Sequence, residues 1–259
     1  MYNTVVLLVS ILLSQVAMGI VNIEALVKKG ENRPINLKAN LSFQENNARS
    51  NFKTFGLGIN FRYLTKIVRK QNSIKFRDRF FGTFSKNKAE KDRLLIRENN
   101  FYHLRYTRML NQTFGLEAFI QNEKDLFNAL ERRNLSGLAT RIDILIKHFR
   151  FVGGVGVLNE KEVVNIQQKT ETETERVTTS VNLSFPMLKN TANFSLISYW
   201  QPGIKDFNDY RLLSTILMEF FLYKSFSLSL SYQLQKDTRP VSGVPKQTTT
   251  TLHQMSYRF

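Results

Sequence analysis

Cysteine is absent from this sequence, which excludes a disulfide scaffold and a thiolate metal site and suits an extracytoplasmic chain that avoids stray oxidation. Histidine is nearly absent too, with His103, His148 and His253 alone, and no His/Asp/Glu cluster has ligand spacing. No cofactor is implied. Acidic residues are scarce relative to basic ones, 21 against 37, for a formal net charge of +16. The basic residues are scattered, without a run interleaved with aromatics or a zinc-finger or helix-turn-helix spacing, so no nucleic-acid partner is expected. Anionic lipid headgroups, lipopolysaccharide phosphates or acidic solutes fit the same balance. Long apolar runs are missing beyond the first 19 residues, and with 42% hydrophobic residues and a mean hydropathy of −0.27 the chain is too polar for a helical membrane protein. A membrane β-barrel, whose strands are only half apolar, has this composition.

The one continuous apolar segment is Met1 to Gly19, in which Val5 to Val9 and Ile11 to Leu13 form a hydrophobic block and Ala17-Met18-Gly19 supply small residues at a cleavage position. It reads as a signal peptide over 1–19, the other reading being an N-terminal anchor that is never cut. Residues 20–34 show no strand period and read as a periplasmic lead-in. From 35 to 259 the chain reads as a barrel.

What is there is a period of two. In Ser225 to Gln235 every second residue is apolar and those between are Ser or Gln, one greasy face and one wet face. Similar segments recur at 35–43, 52–64, 74–85, 94–108, 114–123, 135–145, 149–158, 177–185, 194–200, 211–222, 226–235 and 248–259. The expected fold is all-β, an antiparallel transmembrane barrel of about twelve strands. Short turns centre on Asn111-Gln112, Lys147-His148, Lys189-Asn190 and Tyr223-Lys224, and Phe114, Phe149, Phe194 and Phe226 follow them as an expected aromatic ring at one interface. Longer connections are expected at the other end, at Lys86–Arg93, Glu160–Arg176, Gln201–Asp209 and Lys236–Lys246. Glu160–Arg176 reads as a solvated mobile loop, and Thr65–Asn72 as a long basic turn at the short-turn end. A soluble β-sandwich would bury the same alternating face but would not make the loops one-sided.

Tyr257 and Phe259 share one face of the last strand, resembling the signal that bacterial outer-membrane barrels present to their assembly machinery. The chain further resembles the salt-induced outer-membrane protein family grouped as domain of unknown function 481. The resemblance rests on Asn100-Phe101-Tyr102 with Leu104-Arg105-Tyr106, on Glu123-Lys124-Asp125-Leu126-Phe127 with Leu130 and Arg133, and on Tyr199-Trp200-Gln201-Pro202 with Asp206 to Arg211. It departs at Gln44 to Asn47, where the family carries Gly-Asn, and at Ala139, where Gly137 alone survives of a glycine pair. The resemblance implies a barrel in the bacterial outer membrane and supplies no activity. The reading as a whole expects a monomer whose partners are membrane lipid, lipopolysaccharide and, during biogenesis, the barrel assembly machinery.

The candidate site is the wet face. Early strands place Lys38, Arg62, Lys75, Arg77, Arg79 and Arg105 on it, joined by Arg258 around the closure. Middle strands place Glu117, Glu123, Asp125 and Asp143 there with Arg141 and Arg150, and a later strand adds Glu219. One basic wall facing one acidic wall would set a lateral field across a narrow passive channel for small polar or anionic solutes. The alternatives are side chains that pair across and fill the interior, giving a non-conducting envelope-integrity or binding barrel whose outer loops hold lipopolysaccharide or a partner, or a lipid-modifying enzyme. His103 alone among the histidines faces the wet side and no His-x-Ser motif accompanies it, so no catalytic residue is assigned. Gly153-Gly154-x-Gly156 lies within a strand, where small residues allow bending or close packing rather than phosphate binding. Asp78, mid-strand on the greasy face, points to a bulge near Phe80-Phe81. Deleting Phe259 should lower the folded, heat-modifiable fraction in outer membranes far more than it alters the conductance of the molecules that do assemble; normal insertion of the deletion would remove the assembly reading.

Overall fold

The structure, a computed structural model, describes residues 35–46, 52–70, 73–92, 94–126, 129–165, 169–223, 226–240 and 243–257. The proposed signal peptide and lead-in, together with Arg258 and Phe259, lie outside them. So do the side chains of Lys38, Lys75, Arg77 and Tyr257, although the backbone of each is in a strand.

Twelve antiparallel strands follow one another in a single meander: β1 (Ile35–Asn46), β2 (Phe52–Lys70), β3 (Ser73–Lys91), β4 (Leu94–Met109), β5 (Phe114–Asp125), β6 (Leu130–Ile146), β7 (Phe149–Asn165), β8 (Lys169–Met187), β9 (Ala192–Pro202), β10 (Tyr210–Tyr223), β11 (Phe226–Asp237) and β12 (Gln247–Tyr257). Each pairs only with its sequence neighbours, and the ladder among the described residues runs from β1 to β12 without a pairing of those two edges. A 3-10 turn, Leu188–Asn190, joins β8 to β9. All twelve expected strands are present.

Register carries one face through the whole sheet. Arg62 stands opposite Phe81, Phe81 opposite Arg105, Arg105 opposite Phe119, Phe119 opposite Gly137, Gly137 opposite Leu158 and Leu158 opposite Arg176. This face curls inward. Arg79 on β3 reaches Asp143 on β6 at 3.6 Å, and Arg211 on β10 reaches Glu162 on β7 at 2.9 Å, each pair three strands apart in the ladder. The inner face buries charged and polar groups, among them Glu123, Asp125, Arg133, Glu160 and Arg211, while the outer face exposes Leu37, Phe61, Leu104, Ile120, Leu138 and Val157. Burying a Leu-sized side chain is worth roughly 1.5–3 kcal/mol, so a water-soluble chain would place these two sets the other way round.

At the short-turn end the outer face carries the expected aromatics. Phe149, Phe185 and Phe194 touch in sequence across β7, β8 and β9, with ring centroids 6.2 and 5.1 Å apart, and Phe114 and Phe149 are exposed. The connections at this end are short, as at Lys147-His148 between β6 and β7.

Several expected connections are strands instead. Thr65 to Lys70 continues β2, Lys86 to Lys91 continues β3, and Glu160 to Asn165 pairs with Lys169 to Thr174. In each, charged or amide side chains fall on both faces, so the apolar/polar alternation that marks a strand is broken while the backbone ladder continues. No bulge accompanies Asp78. The β2–β3 register is unbroken on both sides of it, from Tyr63–Phe80 to Lys70–Ser73. Its outward carboxylate accepts a hydrogen bond from Tyr106 Oη (2.8 Å) and lies 4.0 Å from Arg108 Nε, near the short-turn end. The first hairpin, where the family resemblance departs, is also in continuous register from Ile35–Tyr63 to Asn46–Phe52.

The β6–β7 contact depends on glycine. A Cβ on Gly156 would lie 2.2 Å from the Leu138 carbonyl oxygen and one on Gly137 would lie 2.8 Å from the Val157 carbonyl oxygen. The glycine-rich run of β7 therefore serves close packing, as expected. Leu138→Arg, in the middle of the exposed apolar belt, should cost about 2–4 kcal/mol of folding free energy in lipid vesicles, against about 0–1 kcal/mol for Asn134→Arg nearer the loop end. Equal stability of the two variants in vesicles would contradict a lipid-facing belt.

Candidate functional site on the inner face

The inner-face charges fall into two groups separated along the strands. Nearer the short turns, Glu117 accepts hydrogen bonds from Arg141 Nη1 (2.9 Å) and Thr107 Oγ1 (2.9 Å), and Arg105 Nη1 stands 3.5 Å from its other oxygen. Asp143 meets Arg150 Nη2 at 2.9 Å, Arg79 Nη1 at 3.6 Å and Arg141 Nη2 at 3.7 Å. Four guanidiniums thus surround two carboxylates. Arg79 and Arg150 keep 27% and 22% of their side chains exposed.

Toward the long loops lies a denser group. Arg133 donates to Glu162 through Nε (2.9 Å) and Nη2 (2.8 Å), with Glu123 at 3.5 Å. Arg211 donates to Glu160, to Glu162 (2.9 Å) and to Asp237 (2.9 Å). Arg176 donates to Glu160 (3.2 Å), to both carboxylate oxygens of Asp209, and to the backbone carbonyls of Gln201 (3.3 Å) and Asp209 (3.1 Å). Here three guanidiniums serve five carboxylates, and all the side chains but Asp209, 17% exposed, are almost wholly inaccessible, Glu123 at 0%. The effective cost of desolvating an ion is several kcal/mol, and shared partners offset it here.

Between the groups the same face turns apolar. Phe119, Leu135 and Leu158 occupy the intervening positions of β5, β6 and β7. His103 stacks on Phe101 and Phe119 at 6.3 and 6.0 Å, with Nδ1 3.3 Å from Gln121 Oε1. His103 is thus buried on the inner face, held by rings and an amide. His148 lies in the exposed β6–β7 turn and His253 is exposed on the outer face.

The loop group is tied to the connection 203–209. Ile204 N donates to the Glu175 carbonyl (2.9 Å), and Thr238 Oγ1 donates to the Asn208 carbonyl (2.8 Å). Asp206 pairs with Arg239 and accepts from the Asn208 backbone N–H (2.9 Å). That N–H first, and Arg239 with it, hold the Asp206 carboxyl below its ordinary pKa.

The expected inner-face residues with described side chains, Arg62, Arg79, Arg105, Glu117, Arg141, Asp143, Arg150 and Glu219, all share the inner face. Arg62 is half-buried in register with Phe81. Glu219, in register with Asn193 and Ser229, joins neither group and has no ion pair among the described residues. The expected lateral field also draws on Lys38, Lys75, Arg77 and Arg258, whose side chains lie outside the described residues. Among the described side chains, acids and bases pair between neighbouring strands and across as many as three, and the imbalance is axial, basic toward the short turns and acidic toward the loops. Arg176, Arg211, Glu160, Glu162, Asp209 and Asp237 were not among the expected site residues, because they lie in segments read as loop or at strand ends. A signal for them existed: Glu123-Lys124-Asp125, Arg133, Gln201 and the stretch Asp206 to Arg211, on which the family resemblance rests, converge on this group.

No curated protein matches the chain. Among solved structures it is similar to the NanC porin, with a TM-score of 0.44 and 8% identity over 87% of this chain and 99% of that one. It is also similar to the β domain of the Bordetella autotransporter Brka, with a TM-score of 0.37 and 9% identity over 87% and 97%. The family described as "Protein of unknown function, DUF481" matches residues 25–259, nearly the whole sequence, and the chain belongs to that family.

Proposed function

We propose that the chain is a monomeric bacterial outer-membrane β-barrel, closed by β12 meeting β1, that acts as a narrow passive channel of weak anion preference. The observation that carries this reading is the inverted polarity of the sheet, with ion-paired arginines and carboxylates inside and exposed Leu, Ile, Val and Phe outside. A membrane requires every strand edge to be paired, which closure supplies. The anion preference rests on the excess of guanidinium over carboxylate around Glu117 and Asp143, where Arg79 and Arg150 remain accessible. The acidic excess at the loop end opposes it, hence a weak preference and a constricted passage.

The density of the loop-end group favours a second reading, a barrel that does not conduct and uses its outer loops for binding. The two readings part in planar bilayers. The channel gives discrete conductance steps, and Arg79→Glu with Arg150→Glu shifts the reversal potential toward cation selectivity. Folded protein that leaves the bilayer silent removes the channel and leaves the second reading. In that case deleting residues 203–209 should abolish the envelope phenotype.

A further inference from the structure

The outer face changes chemistry in the same order on four consecutive strands as it nears the loop end. On β4 the outward residues run Leu104, Tyr102, Asn100, Glu98; on β5, Ile120, Asn122, Lys124; on β6, Leu138, Ser136, Asn134, Arg132; on β7, Val157, Asn159, Lys161. An apolar layer gives way to an amide layer and then to a charged one. The β5 and β6 amides touch, Asn122 Nδ2 donating to Asn134 Oδ1 at 2.6 Å, while Asn100 Nδ2 donates to Glu98 (3.4 Å) and Asn159 Nδ2 to Glu173 (2.9 Å).

Where the amide and charged layers meet, the surface is hollow. A cup of about 400 Å³ opens there, in which the cations Lys124, Arg132 and Lys169 and the polar Asn100, Tyr102 and Asn122 share the lining with the acids Glu123 and Glu131. Lys124 donates one bond to Glu98 (2.8 Å) and Lys169 one to Glu131 (2.7 Å). An ammonium has three donors, so each can also serve a ligand. Arg132 is exposed and has no ion pair among the described residues, leaving a planar fork suited to phosphate. Tyr102, 46% exposed, sits at the boundary of the apolar layer, where amphipathic aromatics meet headgroups.

We propose that this cup binds the headgroup of a phosphorylated glycolipid, Lys124, Arg132 and Lys169 taking the phosphate, the asparagine amides taking sugar hydroxyls, and the acyl chains lying along the apolar belt below. The proposal rests on the membrane-spanning reading and is independent of whether the lumen conducts. A sugar phosphate is favoured over a glycerol phosphate by the amide layer, which offers paired donors and acceptors beyond what a phosphate uses, and by a hollow far larger than one phosphate.

Native mass spectrometry of the folded full chain in detergent tests it, with bisphosphorylated lipid A, dephosphorylated lipid A and phosphatidylglycerol as probes. Lipid A should bind about tenfold more tightly than either of the others, and Lys124→Ala with Arg132→Ala should erase that preference, a difference of about 1.4 kcal/mol. Lys205→Ala, a cation on the exposed 203–209 loop, should leave it intact. Arg132→Gln alone, at an exposed side chain, should halve the preference or more even if the double variant does not fold. Equal binding of the three lipids, or a preference untouched by these substitutions, overturns the site. A chain that acquires no heat-modifiable folded form in detergent overturns the membrane-spanning reading beneath it.

Discussion

A carboxylate with no access to water must meet a cation or remain protonated, and the loop end of this sheet is organised by that requirement. Glu123, Glu160 and Glu162 project from β5 and β7 into the interior, and Arg133, Arg176 and Arg211 reach them from β6, β8 and β10. No member can leave without stranding another. Removing one partner of a buried pair costs about 3–5 kcal/mol, because the other charge stays behind. The consequence is geometric as well as energetic. Arg211 can reach Glu162 across two intervening strands only if the sheet curls, so the pairs that neutralise the interior also fix its curvature. The 203–209 connection is held to the same lattice through Arg176 and Asp209, which makes the loop a fixed part of the wall.

Charge sorting follows from where each acid finds its base. With Glu117 and Asp143 enclosed by four arginines, and three arginines shared among five carboxylates farther along, the imbalance runs parallel to the strands. A solute moving inward from the short turns would meet positive potential first and negative potential afterwards, with the Phe119, Leu135 and Leu158 layer between. Such an axis would give little net selectivity and much resistance, which is the physical basis of the narrow, weakly anion-preferring passage we propose.

The alternation of residues made the strands legible wherever one face is apolar and the other polar. It located the inner-face residues from Arg62 through Arg150 and set Asp78 apart on the opposite face. It failed where both faces are polar. Thr170-Glu171-Thr172-Glu173-Thr174-Glu175 alternates as regularly as the closing hairpin, but between two hydrophilic residues, and was therefore read as loop. The β-branched threonines were the available signal, since Thr favours a pleated backbone. Pairing across strands was less legible still. Sequence parity says that Glu160 and Arg211 share a face, whereas their meeting depends on curvature that no local period encodes. The height of each charge along its strand, on which the axial imbalance of the described residues depends, is likewise absent from a strand-by-strand parity.

The period of two has a further consequence where the apolar belt ends. Adjacent residues of one strand serve opposite compartments, so Glu123 enters the buried lattice while Lys124 faces outward, and Arg133 enters it while Arg132 faces outward. The ladder shifts register beside both pairs, between Glu123 and Asp125 and between Leu130 and Arg132. The irregularities turn the charged pairs locally without reversing the faces on either side. Inner lattice and outer cup are thus two sides of one short piece of sheet. The interior pairs tie β5, β6 and β7 together at that height through Arg133, and a backbone so braced would let exposed cations on flexible stems present a fixed spacing to a headgroup. A barrel whose loop end were open and mobile would scatter Lys124 and Arg132. The ion pairs that fill the inner face at the loop end are therefore also what would pre-organise the outer surface for an anionic lipid.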